Sequence, residues 1–333
     1  MKKITIPVTV ALLGLSLTAC STPQAENNDF DVVTTTTQIT EFTRTIVGDA
    51  GTVTGLIQPN QSAHSFDPSA QQLLALSEAD VVVQNGADLE PWLEDALAAS
   101  GFSGKIIDAS TGITLLQSGE TEEEHDHAAE EEAATDEHDH VHAEGDPHIW
   151  TAPHNAEHMV ETIAAGLEEA DPENAETFAA NAQAYIGQLE ALDAWVLQNI
   201  EQVPSAERLL VTNHDAFTYF VSEYGITFVG SIIPSFDDNA EPSAAELDNL
   251  IQMIKESGAK AVFSESSISP KLAETIAAEA GVKVYSGEDA LYSDSLGAEG
   301  TDGETYIAAT IHNVTVLMES WGYEPVPLPS ELS

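Results

Sequence analysis

Short runs of β-branched and apolar residues recur along this chain, and each is followed by a stretch with helical spacing. The first series of runs is Asp31–Thr37, Val53–Ile57, Val81–Gln84 and Lys105–Asp108. Helical patterns lie between them, at Ile39–Val47, Ser69–Ser77 and Trp92–Ala99. A second series follows at Arg208–Val211, Ile226–Gly230, Ala261–Phe263 and Lys283–Tyr285, with helices at Phe217–Tyr224, Ala244–Ser257, Pro270–Ala280 and Glu304–Trp321. Strands that alternate with helices predict α/β architecture, in which parallel sheets are covered by helices. Between the two series, Asp171–Gln202 carries Phe178, Tyr185, Leu189, Leu192, Val196 and Ile200 at helical spacing, with Pro172 in its first turn and Gly187 inside. This predicts one long amphipathic helix, N-capped by Asp171. Such a helix joins two lobes as a stiff hinge. A chain of 333 residues suits two domains of ordinary size.

One segment fits neither series. Residues 118–146 hold 13 acids, no Lys or Arg, and five of the chain's eleven histidines: His125, His127, His138, His140 and His142. A tract this polar cannot pack a core. An acid run alone is a solvated linker. Imidazole, however, is the commonest protein ligand for zinc and similar ions, so alternating His with Asp or Glu creates weak, interchangeable chelation sites. The tract is read as an accessory metal-binding loop.

The N-terminus has two lysines, an apolar run over Ile4–Leu17, and the sequence Leu17-Thr18-Ala19-Cys20. The run is too short to span a bilayer and reads as a secretory signal peptide. Its end resembles the bacterial lipobox, which implies cleavage before Cys20 and lipidation of that residue. Cys20 is the only cysteine, so no intramolecular disulfide is expected. The chain thus divides into a leader (1–20), a tether (21–29), an N-terminal lobe with the tract (30–170), a linking helix (171–202) and a C-terminal lobe (203–333). The expected location is extracytoplasmic, lipid-anchored to the bacterial cytoplasmic membrane. With 57 acids against 9 Lys plus Arg, the net charge is −48. Nucleic acid is excluded as a partner, since phosphate binding needs a basic footprint. A high-salt setting would screen the self-repulsion.

Three histidines outside the tract fall at or beyond strand ends, where open α/β sheets bind ligands: His64, His148 and His214. A carboxylate from the C-terminal half would complete a set of four; Asp294, Glu265 and Asp289 are the choices. His154 and His158, four apart, share a helix face but lack the Glu of a zinc protease and read as solvated, with Pro153 marking a helix start. His312 reads as packing or surface.

The segments His64–Ser69, Asn85–Trp92, Asp146–Trp150, Asn213–Phe217, Glu241–Ser243 and Asp294–Gly297 come in this order. Together they resemble the zinc/manganese solute-binding proteins of ABC importers, the ZnuA-like (cluster A-I) family, from about Asp31 to about Trp321. The resemblance implies two α/β lobes bridged by a rigid helix, with metal in the cleft between them. By position it implies His64, His148, His214 and Asp294 as ligands, and it places the His-acid tract where zinc members carry theirs. Manganese members have a carboxylate where this chain has His214. Three imidazoles and one carboxylate suit tetrahedral zinc, whereas manganese favours more oxygen. One departure is Thr151-Ala152-Pro153, where the family often has Leu-Asp-Pro.

The expected function is therefore capture of Zn2+ by a monomeric, lipid-anchored protein and its delivery to an ABC permease and its ATPase. The protein is not expected to be an enzyme, because four protein ligands leave no obligatory open coordination position. Asp294, on its loop, is the ligand expected to leave first. The rival readings are a manganese-binding importer component, a metal-binding adhesin lipoprotein, and a zinc metallohydrolase with water in place of Asp294.

Overall fold

The computed structural model describes residues 30–117 and 145–332. Cys20 and the five tract histidines therefore lie outside the described residues.

Four parallel strands form the N-terminal sheet: β1 (Asp31–Thr34), β2 (Thr52–Gly55), β3 (Val81–Gln84) and β4 (Lys105–Asp108), in the order β2-β1-β3-β4. Side chains alternate between the faces of a strand. Val32, Val81 and Val83 accordingly pack with Ile39, Phe42 and Ile46 of α1 (Thr37–Val47) and with Met159 and Ile163. Val33 and Val82 point the other way, onto Leu76 of α2 (Ala70–Glu78) and Ala96 of α3 (Leu93–Ser100). The two central strands are covered on both faces, which explains why β1 and β3 read as consecutive valines.

The C-terminal lobe holds two parallel pairs. β5 (Leu209–His214) pairs with β6 (Thr227–Ile233) through a register shift at Leu210/Val211. β7 (Ala261–Phe263) pairs with β8 (Lys283–Tyr285), and β5 runs beside β7. Beyond the strand, Glu265 bridges to Leu291. Helix α6 (Thr218–Glu223) follows β5, and α7 (Ala244–Ser257) and α8 (Lys271–Ala280) cover the outer face through Leu250, Ile254 and Ile276. The inner face, with Leu210 and Phe263, meets α9 (Tyr306–Trp321).

Two helices lie between the sheets. α4 (Pro153–Ala170) starts with proline in its first turn and buries Met159, Val160, Ile163 and Leu167. α5 (Ala175–Ile200) follows, burying Phe178, Tyr185, Leu189, Leu192, Val196 and Ile200, the residues whose spacing predicted it. It packs on α1 and α4 on one side and on α9 on the other, so one apolar core runs through both lobes. Each fully buried side chain of this size contributes about 1.5–3 kcal/mol relative to exposure.

The start of α5 departs from expectation. Asp171 is not its N-cap: the Asp171 N–H closes α4 on the Leu167 carbonyl at 2.8 Å. Its carboxylate then accepts from Glu173 N (3.2 Å) and Asn174 Nδ2 (2.7 Å), shaping the turn before Ala175. An Asx turn and an N-cap share the same residue preferences, so Asp-Pro alone does not separate them. Among the described residues no helix is long and apolar enough to cross a membrane.

Candidate metal site

The site gathers at the carboxyl ends of the strands, where both lobes and the turn before α4 face one another. His64 sits on the loop after β2, His148 just before a short 3-10 turn (Ile149–Thr151), His214 at the last position of β5, and Asp294 on the loop after β8. One donor atom from each of the four lies within 4.8 Å of all the others. His148 Nε2 is 3.1 Å from His64 Nε2 and 3.4 Å from His214 Nε2. Asp294 Oδ1 is 3.3 Å from both His148 Nε2 and His214 Nε2, and Oδ2 is 3.7 Å from His64 Nε2. Four donors set tetrahedrally about an ion at about 2.0–2.1 Å are about 3.3–3.4 Å apart. His148, His214 and Asp294 are at most 1% exposed, and the His64 side chain is 7% exposed. Neither Asp294 oxygen has a hydrogen-bond donor, an arrangement costly for a buried carboxylate unless a cation sits there.

The two fully buried imidazoles are held from behind. His148 Nδ1 and backbone N both contact Asp146 Oδ1, at 2.6 and 2.9 Å. His214 Nδ1 lies 2.6 Å from Glu265 Oε2, while its backbone N–H donates to Glu265 Oε1 at 2.9 Å. Fixing Nδ1 against a carboxylate leaves Nε2 as the free donor and raises its basicity, as metal-binding imidazoles commonly require. Glu265 Oε2 also accepts from Ser293 Oγ at 2.5 Å, so a single carboxylate grips both His214 and the neighbour of Asp294. Across the cleft, the Ser293 carbonyl accepts from Gln38 Nε2 (2.9 Å) and Trp150 Nε1 (3.1 Å), and Leu296 N donates to Thr37 Oγ1 (2.8 Å). The Asp294 loop is therefore tied to α1.

The segment Asn85–Trp92 is the scaffold of the N-terminal half. Gly86, Ala87 and Asp88 all have positive φ, folding the chain back so that Glu90 accepts from Asn85 N (2.8 Å), Gly86 N (3.2 Å) and Thr35 Oγ1 (2.5 Å). Asn85 Nδ2 then donates to the Pro147 carbonyl (3.0 Å), beside His148, and Trp92 Nε1 to the Ala63 carbonyl (2.8 Å), beside His64. At the mouth, Ser62 Oγ donates to Asp238 Oδ1 (2.9 Å) from the opposite lobe.

Where the chain leaves and re-enters the described region, its two ends are fastened together. Asp146 N donates to the Leu116 carbonyl (2.7 Å), and the Tyr219 hydroxyl accepts from Leu116 N (3.2 Å) and donates to the Asp146 carbonyl (2.6 Å).

Burial and charge act differently on the four. Burial, and then the His148 imidazole, pull His64 down to about 4. Burial also opposes charge on His148, but Asp146 and Asp294 outweigh it and push the ring up to about 9. His214 moves well up for the same reason, held by Asp294 and Glu265 against burial. Although burial favours its acid form, Asp294 stays well below the usual carboxylate range because His214 and His148 face it. The four form one coupled electrostatic unit of mixed sign.

The other candidates lie elsewhere. Glu265 stands behind His214 and is not one of the four, and Asp289 is exposed on a 3-10 turn. His312 packs against Tyr292 and its Nε2 donates to the Ala290 carbonyl at 3.0 Å. His154 and His158 line an open cleft on α4, away from the four. The supporting residues Asp146, Asn85, Trp92 and Ser293 went unassigned from sequence. Their signal was present, since all but Ser293 fall inside the segments that carry the family resemblance, and Ser293 is next to one.

The family model described as ZnuA, zinc-uptake complex component A periplasmic, matches residues 32–320. The zinc-binding lipoprotein AdcA of Streptococcus pneumoniae is 34% identical over 97% of this chain, which spans only 62% of that relative's length. The manganese-binding lipoprotein MntA of Halalkalibacterium halodurans is 28% identical, over 94% of this chain and 97% of the relative. Among solved structures, the periplasmic zinc-binding protein TroA of Treponema pallidum superposes with a TM-score of 0.74 at 27% identity, covering 87% of this chain and 98% of TroA. With the match running from β1 to the end of α9 and the same two-lobed fold, this chain belongs to the zinc-uptake complex component A family.

Proposed function

We propose that the chain is the extracytoplasmic metal-capturing component of an ABC importer, and that its cargo is Zn2+. The observation that carries this is the buried quartet of His64, His148, His214 and Asp294, spaced as four donors around one ion. Three nitrogens and one oxygen favour zinc over manganese, which prefers oxygen-rich, higher-coordinate sites. The quartet also fills a tetrahedral shell without water, and the carboxylates nearest the imidazoles, Asp146 and Glu265, are committed to holding rings. This suits binding and not hydrolysis. Donors from both lobes converge on one ion, so bound metal fixes the lobes relative to each other, and a permease and its ATPase read that difference. In this reading the protein acts as a monomer tethered through Cys20. Residues 30–170 and 203–333 act as lobes, and 171–202 as the joint between them. The His-acid tract, residues 118–146, acts as an accessory zinc collector.

The clamped loop bearing Asp294 bears on release. Ties from Gln38, Trp150 and Thr37 make that carboxylate harder to withdraw than its loop position alone implied. Zinc titration of the mature chain with manganese competition tests the whole proposal. One tight zinc site, lost in His214→Ala and kept when 118–144 are deleted, is the expected result. Tight binding that survives His214→Ala but vanishes with the tract would make the protein a surface metal buffer or adhesin. Preference for manganese would assign it the cargo of MntA.

A further inference from the structure

We propose that Glu41 is a positioning residue for metal release: its carboxylate, held where α1, α5 and the start of α9 meet, latches one lobe to the other and so sets how readily the Asp294 loop withdraws. The inference rests on the reading of the quartet as the metal site. Glu41 lies one turn beyond Thr37 and Gln38, which already grip that loop. Its Oε2 accepts from Tyr306 N, the first N–H of α9, at 2.5 Å, and its Oε1 accepts from the Tyr185 hydroxyl of α5 at 3.1 Å. A helix start has N–H groups without partners and favours negative charge. Here Thr305 Oγ1, from α9's own N-cap, accepts from Ala308 N at 3.2 Å, whereas the carboxylate that serves Tyr306 comes from the opposite lobe. The Asp294 loop is fastened to α9. Asn313 pairs with Tyr292 N (2.9 Å) and with the Tyr292 carbonyl (2.7 Å) ahead of Asp294, and Gly297 N donates to the Gly303 carbonyl (2.7 Å) behind it.

The latch is a carboxylate without a cation. Among the described residues no Lys or Arg forms an ion pair with Glu41. Arg44 and Glu304 line the same crevice of about 200 Å³, but Arg44 donates to the Val53 carbonyl at 3.4 Å. Tyr185 faces Glu41 from α5 and Tyr306 from α9, while Glu157 of α4 and Asp193 of α5 act on Tyr306 in turn. Burial pushes Glu41 up to about 7, and the bonds from Tyr306 N and Tyr185 pull against it. Charge here is therefore costly while the lobes are shut, and water relieves that cost when they part. A parted Glu41 returns toward its ordinary 4.5, so closure takes up a proton between the two values. The contribution of that proton to the shut form is full below about 4.5 and is lost as pH rises through about 7.

The variant E41Q can keep both contacts but cannot ionise. Zinc release from the full chain into excess chelator, followed by stopped flow, should give a ratio of wild-type to E41Q rates that climbs about tenfold between about pH 5 and 7 and levels off above that. Y185F keeps the ring and removes one bond that holds Glu41 down, so its climb should lie at higher pH than that of the wild type. That shift decides the matter should E41Q not fold. In the metal-free chain, hydrogen exchange over residues 296–309 should show the wild type losing protection relative to E41Q across the same interval. Ratios flat with pH in both measurements would show that Glu41 serves packing only and would overturn the proposal, while tight zinc binding would keep the cleft reading intact. Exchange that follows pH in a chain without a tight zinc site would support the latch and overturn the cleft reading instead.

Discussion

Glu265 holds His214 with one carboxylate oxygen on the backbone and the other on the ring, and takes the Ser293 hydroxyl as well. Its replacement by Gln keeps the shape but removes the charge that makes Nε2 a strong donor. Outer carboxylates of this kind typically carry 10–100-fold in metal affinity. E265Q should therefore weaken zinc binding by about that factor in a chelator competition assay while the far-ultraviolet dichroism stays unchanged. An unaltered affinity would show that Glu265 serves packing only. A different residue tests the scaffold. Gly86 sits at φ +82°, and a Cβ there would lie 1.9 Å from Asp108 Oδ1. G86A should destabilise the chain by more than about 1 kcal/mol in urea unfolding. Because Asn85 braces the turn before His148, the same variant should also lose metal affinity.

At the scale of the element, α5 gives the clearest forecast. Gly187 lies inside the helix with nothing within 4 Å of where a Cβ would stand. G187A should stabilise the chain by about 0.5–1 kcal/mol. Thermal unfolding would register this as a higher midpoint with zinc affinity unchanged. A fall in stability would mean that the helix needs its glycine to bend. Which elements were legible follows the same physics. Val81–Gln84 and Ala261–Phe263 are legible to the residue because buried parallel strands are continuous apolar runs, and the less buried Lys105–Asp108 and Lys283–Tyr285 because a short β-branched core stands between polar neighbours. α4 is legible only at its Pro153 start, because its first turns carry a polar face of His154, Glu157, His158 and Glu161 before the apolar spacing of Met159, Ile163 and Leu167 sets in. For the site, the three histidines and Asp294 emerged from strand ends and motif order. Asp146, Glu265, Asn85 and Trp92 act through contacts with distant or backbone partners, which periodicity does not reveal.

The whole molecule responds to pH through several buried groups. Burial raises Glu41 and Glu90 to about 7, so both favour the fold while protonated; that contribution is full below about 4.5 and is lost as pH rises through about 7. His148 favours the fold while charged, a contribution full below 6.5 and lost as pH rises through about 9, and His214 acts in the same direction. His64 works the other way, but its window closes by pH 6.5. The metal-free chain should therefore be less stable at pH 8.5 than at pH 6.5 in urea unfolding. If the quartet holds the ion as proposed, zinc affinity should rise over the same interval, because imidazoles must shed their protons to ligate. Parallel slopes would contradict this account. The fastening of Leu116 to Asp146 through Tyr219 has an engineering consequence. Leu116 and Asp146 meet at one hydrogen-bonded point, two positions from His148. That point is a ready-made splice port. A fluorescent domain with adjacent termini, grafted there in place of the native segment, would turn this protein into an optical reporter of metal loading.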